Sequence, residues 1–360
     1  MITSINLKNF KSHKDTHLKL SNLNILTGFN YSGKSSIIES LLLLRQTYLK
    51  GEPLIKKGLL MIGDLIDVGS CQEIFHINSD IKDPIEFNLI SDNKYNLNWK
   101  FDYEYNSNFL NLKKYNFQKK IDNINLFNEK FQYINPKNII KPKTINKCFH
   151  SNTINMLNQI SEFNGTCDNI TYFFEKFKSK TIPNKLLHHY KSKNKYLSNE
   201  VQTWLNDFYP NLSIEISTEK LFSKLLVLDL KYNNHQFYLN RNIFYILSIL
   251  TAILSATKDT LILIENLEYY LHPNIQSKLI KLINTATQFG IQFIITTNSE
   301  HIINETSILI KESKINKNNI KLYFFNNINN FTSEIIDIPI LKIEESIKTI
   351  IKNSLIINQI

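Results

Sequence analysis

LNILTGFNYSGKSSIIESLLLL, residues 23–44, passes from a short apolar run (23–26) through a glycine-bounded loop into an amphipathic continuation carried by Ile37, Ile38 and residues 41–44. The loop Gly28-Phe-Asn-Tyr-Ser-Gly33-Lys34-Ser35 satisfies G-x-x-x-x-G-K-[ST]. That spacing lets backbone N–H groups wrap a phosphate chain, with glycine at both ends permitting the turns and the close approach. Strand, loop and helix follow in the order such a cradle requires. Gly28, Asn30, Ser32, Gly33, Lys34, Ser35 and Ser36 are the expected nucleotide-binding residues. Lys34 would reach the terminal phosphates and Ser35 would hold Mg²⁺, while the helix starting there turns its positive end toward the same anion. A nucleoside triphosphate and Mg²⁺ are the expected ligands.

At 360 residues the chain exceeds the usual single domain, so one large domain with an insertion, or two domains, is expected. A hydrophobic fraction of 42% and a charged fraction of 21% are those of a globular protein with a sizeable core. The net charge of +10 and pI near 9.2 fit either an acidic partner such as nucleic acid or a Lys-rich coding bias. Cys71, Cys148 and Cys167 form neither a disulfide framework nor a zinc pattern, as in a reducing compartment. No basic-apolar-small leader opens the chain, and the longest apolar run, 243–256, is too short to span a bilayer. A cytoplasmic protein without a membrane segment is expected.

Alternation over 2–10 and again over 16–20 predicts a hairpin ahead of the loop, and 85–105 predicts a second one around Ser91-Asp-Asn93. Residues 106–147 mix Lys, Asn and aromatics without a clean period. Apolar spacing predicts helices over 156–177 and 186–208, bounded by Gly165, Pro183 and Pro210. Strands are predicted at 212–216, 225–230 and 237–239, then a long apolar helix over 243–255. Next comes Thr260-Leu-Ile-Leu-Ile264-Glu265, an apolar run ending in a carboxylate, which suits a buried strand delivering an acid to its C-terminal edge. A helix over 276–288, strands at 291–296 and 323–326, and an amphipathic helix over 341–353 complete the chain. The expected division is 1–105, an N-terminal ATPase lobe with the phosphate loop and a β subdomain; 106–210, a Lys-rich, partly helical insertion; 211–330, a C-terminal ATPase lobe with the acidic strand; and 331–360, a tail with an amphipathic helix.

Hydrolysis needs an acid for the metal and a group to orient water. Glu265 is the candidate for the Mg²⁺ shell, and Glu268 could orient the water if the following turn brings it round; each also reads as an ordinary carboxylate at an element end. His272, beside Pro273, reads as a turn residue, and the adjacent His188 and His189 lack a further ligand at metal spacing.

INLKNFKSHKD, the phosphate loop with its helix, GDLIDVGSCQEIF, LILIENLEYYLHPNIQSKL and IQFIITTNSEHII together resemble a bacterial group of AAA-family ATPases. These share the ABC-type head of the SMC, RecF and OLD proteins and recur in DNA repair and phage-defence systems. The resemblance implies an α/β P-loop NTPase of ABC-ATPase (SMC/OLD-like) type, with a mixed sheet, an antiparallel β subdomain and an inserted helical region. It also implies self-association of heads around ATP and an effector protein encoded nearby. The departures are specific. Asn266 stands where the wider ABC-type pattern has a catalytic glutamate, which moves the water-orienting role to Glu268. Asn298 stands at the switch histidine, with His301 three residues on, and LNRNIFY (239–245) lacks the glycine and serine of the signature, leaving Arg241 as a substitute phosphate contact. Gln72 aligns loosely with the γ-phosphate-sensing glutamine and also reads as a surface residue. After Asn326 no Asp-x-Asp remains to build the nuclease that follows the ATPase in OLD-type proteins. Slow ATP turnover driving a switch and nucleotide-gated assembly without turnover are both expected forms of action. DNA binding through Lys113, Lys114, Lys119, Lys120, Lys141, Lys143, Lys176, Lys178 and Lys180, with Tyr115, Phe117 and Phe177 as stacking platforms, is the third.

Overall fold

The structure, a computed structural model, describes residues 1–51, 56–92, 95–105, 107–117, 124–136, 164–165, 174, 177–188, 194–219, 225–232, 235–237, 241–328 and 331–339. The helix expected at 156–177 lies largely outside these residues and the one expected at 341–353 wholly so. The chain forms two compact units, Met1–Phe131 with Gln292–Ile360, and Gln132–Ile291.

In the first unit the alternating N-terminal sequence becomes β1 (Ile2–Phe10) and β2 (His13–Lys19), paired antiparallel from Ser4↔Lys19 to Phe10↔His13. With β4 (Gly58–Leu60), β5 (Ile85–Ser91), β6 (Tyr95–Phe101) and β7 (Phe109–Phe117) they form a six-stranded antiparallel sheet in the order β2-β1-β5-β6-β7-β4. Alternate residues of β5 and β6 point inward, so Phe87, Trp99 and Phe101 are buried. Phe87 meets both Phe10 and Phe101 edge-on, with ring centroids 5.0 and 5.7 Å apart.

The second layer of this unit is built on β3 (Leu23–Gly28), which runs parallel to both β14 (Gln292–Thr296) and β15 (Ile320–Ile328). Strands of a parallel core are covered on both faces and read as continuous apolar runs; β14 is buried throughout. β16 (Thr332–Asp337) closes the order β16-β15-β3-β14 antiparallel to β15, which makes the sheet mixed. Helix α1 (Lys34–Leu49) departs from the amphipathic expectation. It is buried on nearly every side from Lys34 to Thr47, because β3, β14, β4 and the 3-10 turn Asn125–Phe127 all pack against it. Even Arg45 is enclosed, donating to the Leu126 carbonyl at 3.0 Å and lying 5.2 Å over the Phe131 ring. Short helix α2 (Cys71–Ile74) follows a capping box at Ser70 and Glu73.

The second unit holds a three-stranded antiparallel sheet, β10 (Leu212–Glu219), β11 (Leu225–Tyr232) and β12 (His235–Phe237). Helix α3 covers only Leu197–Phe208, not 186–208: Leu197, Val201, Leu205 and Phe208 make its buried stripe, while Asn184–Leu186 is a separate 3-10 turn after Pro183. Helices α4 (Arg241–Ser255) and α5 (Pro273–Phe289) flank β13 (Leu261–Ile264) in sequence. β13, β8 (Phe131–Ile134) and β9 (Asn164–Gly165) lie side by side in that order. Helix α6 (Glu300–Lys311) belongs to the first unit. Among the described residues no helix is long and apolar enough to cross a membrane.

Buried Gln292 ties the start of β1 to β14. It accepts from Ile2 N at 2.9 Å and donates to the carbonyls of Ile2 at 2.6 Å and Ser21 at 3.0 Å. Gln292→Leu strands these backbone groups, and we expect urea unfolding to show a loss of about 2–3 kcal/mol.

Candidate nucleotide site

The phosphate loop sits where β3 gives way to α1, and its two glycines are fixed by what surrounds them. Gly28 has φ 130°, and a Cβ there would stand 2.1 Å from the Phe325 carbonyl oxygen of β15. Gly33 has φ 94° and caps α1; a Cβ there would stand 2.3 Å from Ser333 Oγ and 2.5 Å from Ser12 Oγ. Both positions exclude any larger residue. No acidic side chain occupies the first turn of α1, so the positive end of the helix is not neutralised from within. Glu39, one turn on, is paired with Lys11 at 2.6 Å.

Lys34 folds back over the loop, its Nζ donating to the carbonyls of Gly28 at 2.7 Å and Phe29 at 2.5 Å. Ser32 Oγ donates to the Phe29 carbonyl at 2.6 Å. Ser35 is half-buried, Ser36 buried and Asn30 exposed. All seven expected nucleotide-binding residues therefore share one loop and helix start. Asn298, just beyond β14, donates from Nδ2 to Asn30 Oδ1 at 3.0 Å and so touches the phosphate loop directly. Tyr31 stands at the loop tip with φ 60° and 93% exposure.

A polar brace under the loop was not legible in the sequence. Ser333 Oγ donates to the Ser32 carbonyl at 2.7 Å, and Ser333 N donates to the Ser12 carbonyl at 2.8 Å. His13 is fully buried, with Nε2 3.0 Å from the Gly33 carbonyl and Nδ1 3.0 Å from Thr16 Oγ1. A carbonyl only accepts, so Nε2 carries the hydrogen and Nδ1 accepts from Thr16. Burial pulls the His13 pKa down to about 4, opposed by the Gly33 bond and assisted by neighbouring His76 and Lys11. His76 is lowered too, by burial and then by Lys14.

In the second unit Glu265 follows β13 as the sequence predicts and is buried. Its carboxylate accepts from Tyr133 Oη at 3.1 Å and from Asn135 Nδ2 at 3.2 Å. Tyr245 Oη, on α4, bonds to the carbonyls of Glu265 at 3.3 Å and Asn266 at 3.2 Å. Sequence reasoning missed all three residues; the only signal for the first two is the strand-like Phe-Gln-Tyr-Ile stopped by Pro136. Asn266 adopts φ 45° and Glu268 is half-buried in the turn that follows. His272 is the N-cap of α5, its Nδ1 accepting from Asn274 N at 3.3 Å, and His301 and Gln72 are exposed. His188 lies edge-on to Trp204, and His189 is outside the described residues. Of the expected DNA-binding lysines, Lys113 pairs with Asp102 at 3.0 Å and Lys180 donates to the Ser255 carbonyl at 2.7 Å above the Phe177 ring. Lys119, Lys120, Lys141, Lys143 and Lys176 are outside the described residues, as are the side chains of Tyr115, Phe117 and Arg241.

Compared with known families, residues 1–303 match the AAA ATPase domain. The chain belongs to that family. A comparison with curated proteins finds no match. Among solved structures, this ATPase domain is similar to the Smc head domain with an extended coiled coil, bound to the C-terminal domain of ScpA, from Pyrococcus furiosus. The two share 10% identity over 97% of this chain and 99% of that one, with a TM-score of 0.55. A second Smc head, bound to the C-terminal winged-helix domain of ScpA, gives 14% identity over 94% and 98% of the two chains and a TM-score of 0.53. At such identities the likeness is one of fold: a P-loop ATPase head with a mixed sheet and an antiparallel sheet.

The folded pKa of His13 lies below its unfolded value near 6.5, so its burial leaves stability intact above pH 6.5 and removes it as the pH falls toward 4. Chemical unfolding across that window should show wild type losing up to about 3 kcal/mol more than His13→Gln, in which this proton uptake is absent.

Proposed function

We propose that the chain is an ATP-driven switch with slow turnover, in which a triphosphate lies along the loop from Gly28 to Ser36. The observation that carries this reading is the loop itself: two glycines held open by their surroundings, Lys34 drawn over the loop carbonyls, and Asn298 bonded to Asn30. Ser35 offers a hydroxyl and Glu265 a carboxylate, the hard oxygen donors that Mg²⁺ takes. When bound, Mg²⁺ neutralises charge on the phosphates. Lys34 meets the terminal phosphates, Asn30 and Ser32 shape the loop around them, and Ser36 N–H belongs to the helix end that faces them. Glu268 orients the water, since the Asn266 amide has no basic atom to accept its proton. Asn298 reports the state of the loop to β14 and α6. The proposed readout is association with a second copy and with an effector protein, in a DNA-associated or anti-phage setting; the family resemblance supports that setting.

A second reading, a nucleotide-gated scaffold without turnover, is favoured by Asn266 itself, held at φ 45° with its carbonyl bonded to Tyr245. Phosphate release from Mg-ATP separates the two. On the switch reading, wild type shows multiple turnover, Glu268→Gln lowers the rate about a hundredfold, and Lys34→Ala lowers ATP binding and turnover at least as far. Tight ATP binding with no release beyond one equivalent would establish the scaffold instead.

A further inference from the structure

The Glu265 carboxylate is held from two sides by residues of a single short strand. β8 and the residue after its end place Tyr133 and Asn135 two apart, on the same face of the strand. The Glu265 N–H donates to the Ile134 carbonyl at 3.0 Å, which sets the register of β13 on β8 and brings the acid beside both side chains. Asn135 gives one amide hydrogen to Tyr133 Oη at 2.8 Å and the other to Glu265 Oε2 at 3.2 Å. Tyr133 passes its own hydrogen to Glu265 Oε1 at 3.1 Å. Both side chains thus donate to the acid, which suits an ionised carboxylate, a group that only accepts.

We propose that Tyr133 and Asn135 are positioning residues for the magnesium of bound ATP, fixing the rotamer in which the Glu265 carboxylate is presented to the metal's water shell. This rests on the reading of Glu265 as the metal-shell acid. A glutamate has one more rotatable bond than the aspartate usual in this role, and a paired clamp removes the freedom which that bond adds. Metal ligands are commonly oriented by such outer partners.

The test is calorimetric titration of the full chain with ATP, in EDTA and at increasing Mg²⁺, for wild type, Glu265→Gln, Tyr133→Phe and Asn135→Leu. Glu265→Gln should abolish the tightening that Mg²⁺ produces. Tyr133→Phe and Asn135→Leu should each raise the Mg²⁺ needed for half-maximal tightening about tenfold, with the affinity in EDTA unchanged. Should buried Tyr133 not tolerate substitution, the half-exposed Asn135 carries the test alone. If Glu265→Gln loses the response while both other variants keep the wild-type Mg²⁺ requirement, the clamp is only structural and the proposal fails with the reading of Glu265 intact. If Glu265→Gln responds to Mg²⁺ as wild type does, the reading of Glu265 itself fails. Equal losses in EDTA and in Mg²⁺ would mark a folding effect and also overturn the proposal.

Discussion

The carbonyl of Phe325 occupies the space that a side chain on Gly28 would need, and Phe29 N donates back to that same carbonyl at 3.1 Å. This close approach of β15 to the end of β3 fixes where the loop begins. Phe29 stacks edge-on against Phe324 at 5.5 Å, and α1 leaves from a point set by β3 and β15 together. A residue of any size at Gly28 would push the two strands apart and carry the helix start with them. The loop is therefore a property of the sheet as much as of its own sequence.

The other end of the loop is set by a different kind of force. Around Gly33 the contacts are polar and mostly buried: two serines, a neutral histidine and a threonine exchange hydrogen bonds with each other and with loop carbonyls. In a buried setting such bonds gain strength from the low dielectric, and each is expensive to leave unmade. Close backbone packing fixes the start of the cradle and a brace of side-chain hydrogen bonds fixes its end. Between them, Asn30 and Tyr31 are the loop residues that stand exposed.

The strand, loop and helix over 23–49 were legible because a glycine pair, a lysine and a serine at fixed spacing leave few alternatives, and the place of Glu265 after β13 because an unbroken apolar run suits a buried strand. The brace was not legible. Ser333 lies more than three hundred residues from the adjacent Ser12 and His13, and all three belong to types common at surfaces. β8 was hidden for another reason: it has four residues, all buried, in a Lys- and Asn-rich neighbourhood that shows no alternation. Burial on both faces also concealed the setting of α1, whose apolar run reads equally as the face of a surface helix. The start of α3 was misjudged because Leu186 and Leu187 extend its apolar spacing backward, although Leu186 ends a separate 3-10 turn.

Tyr31 places a phenol ring in water at the lip of the cradle, on a backbone angle that costs an ordinary side chain about 1 kcal/mol or more. Glycine would hold that angle more cheaply, so the ring brings something to the lip that the turn alone does not require. Any body that covered the lip would take this aromatic face out of water and gain from its apolar area.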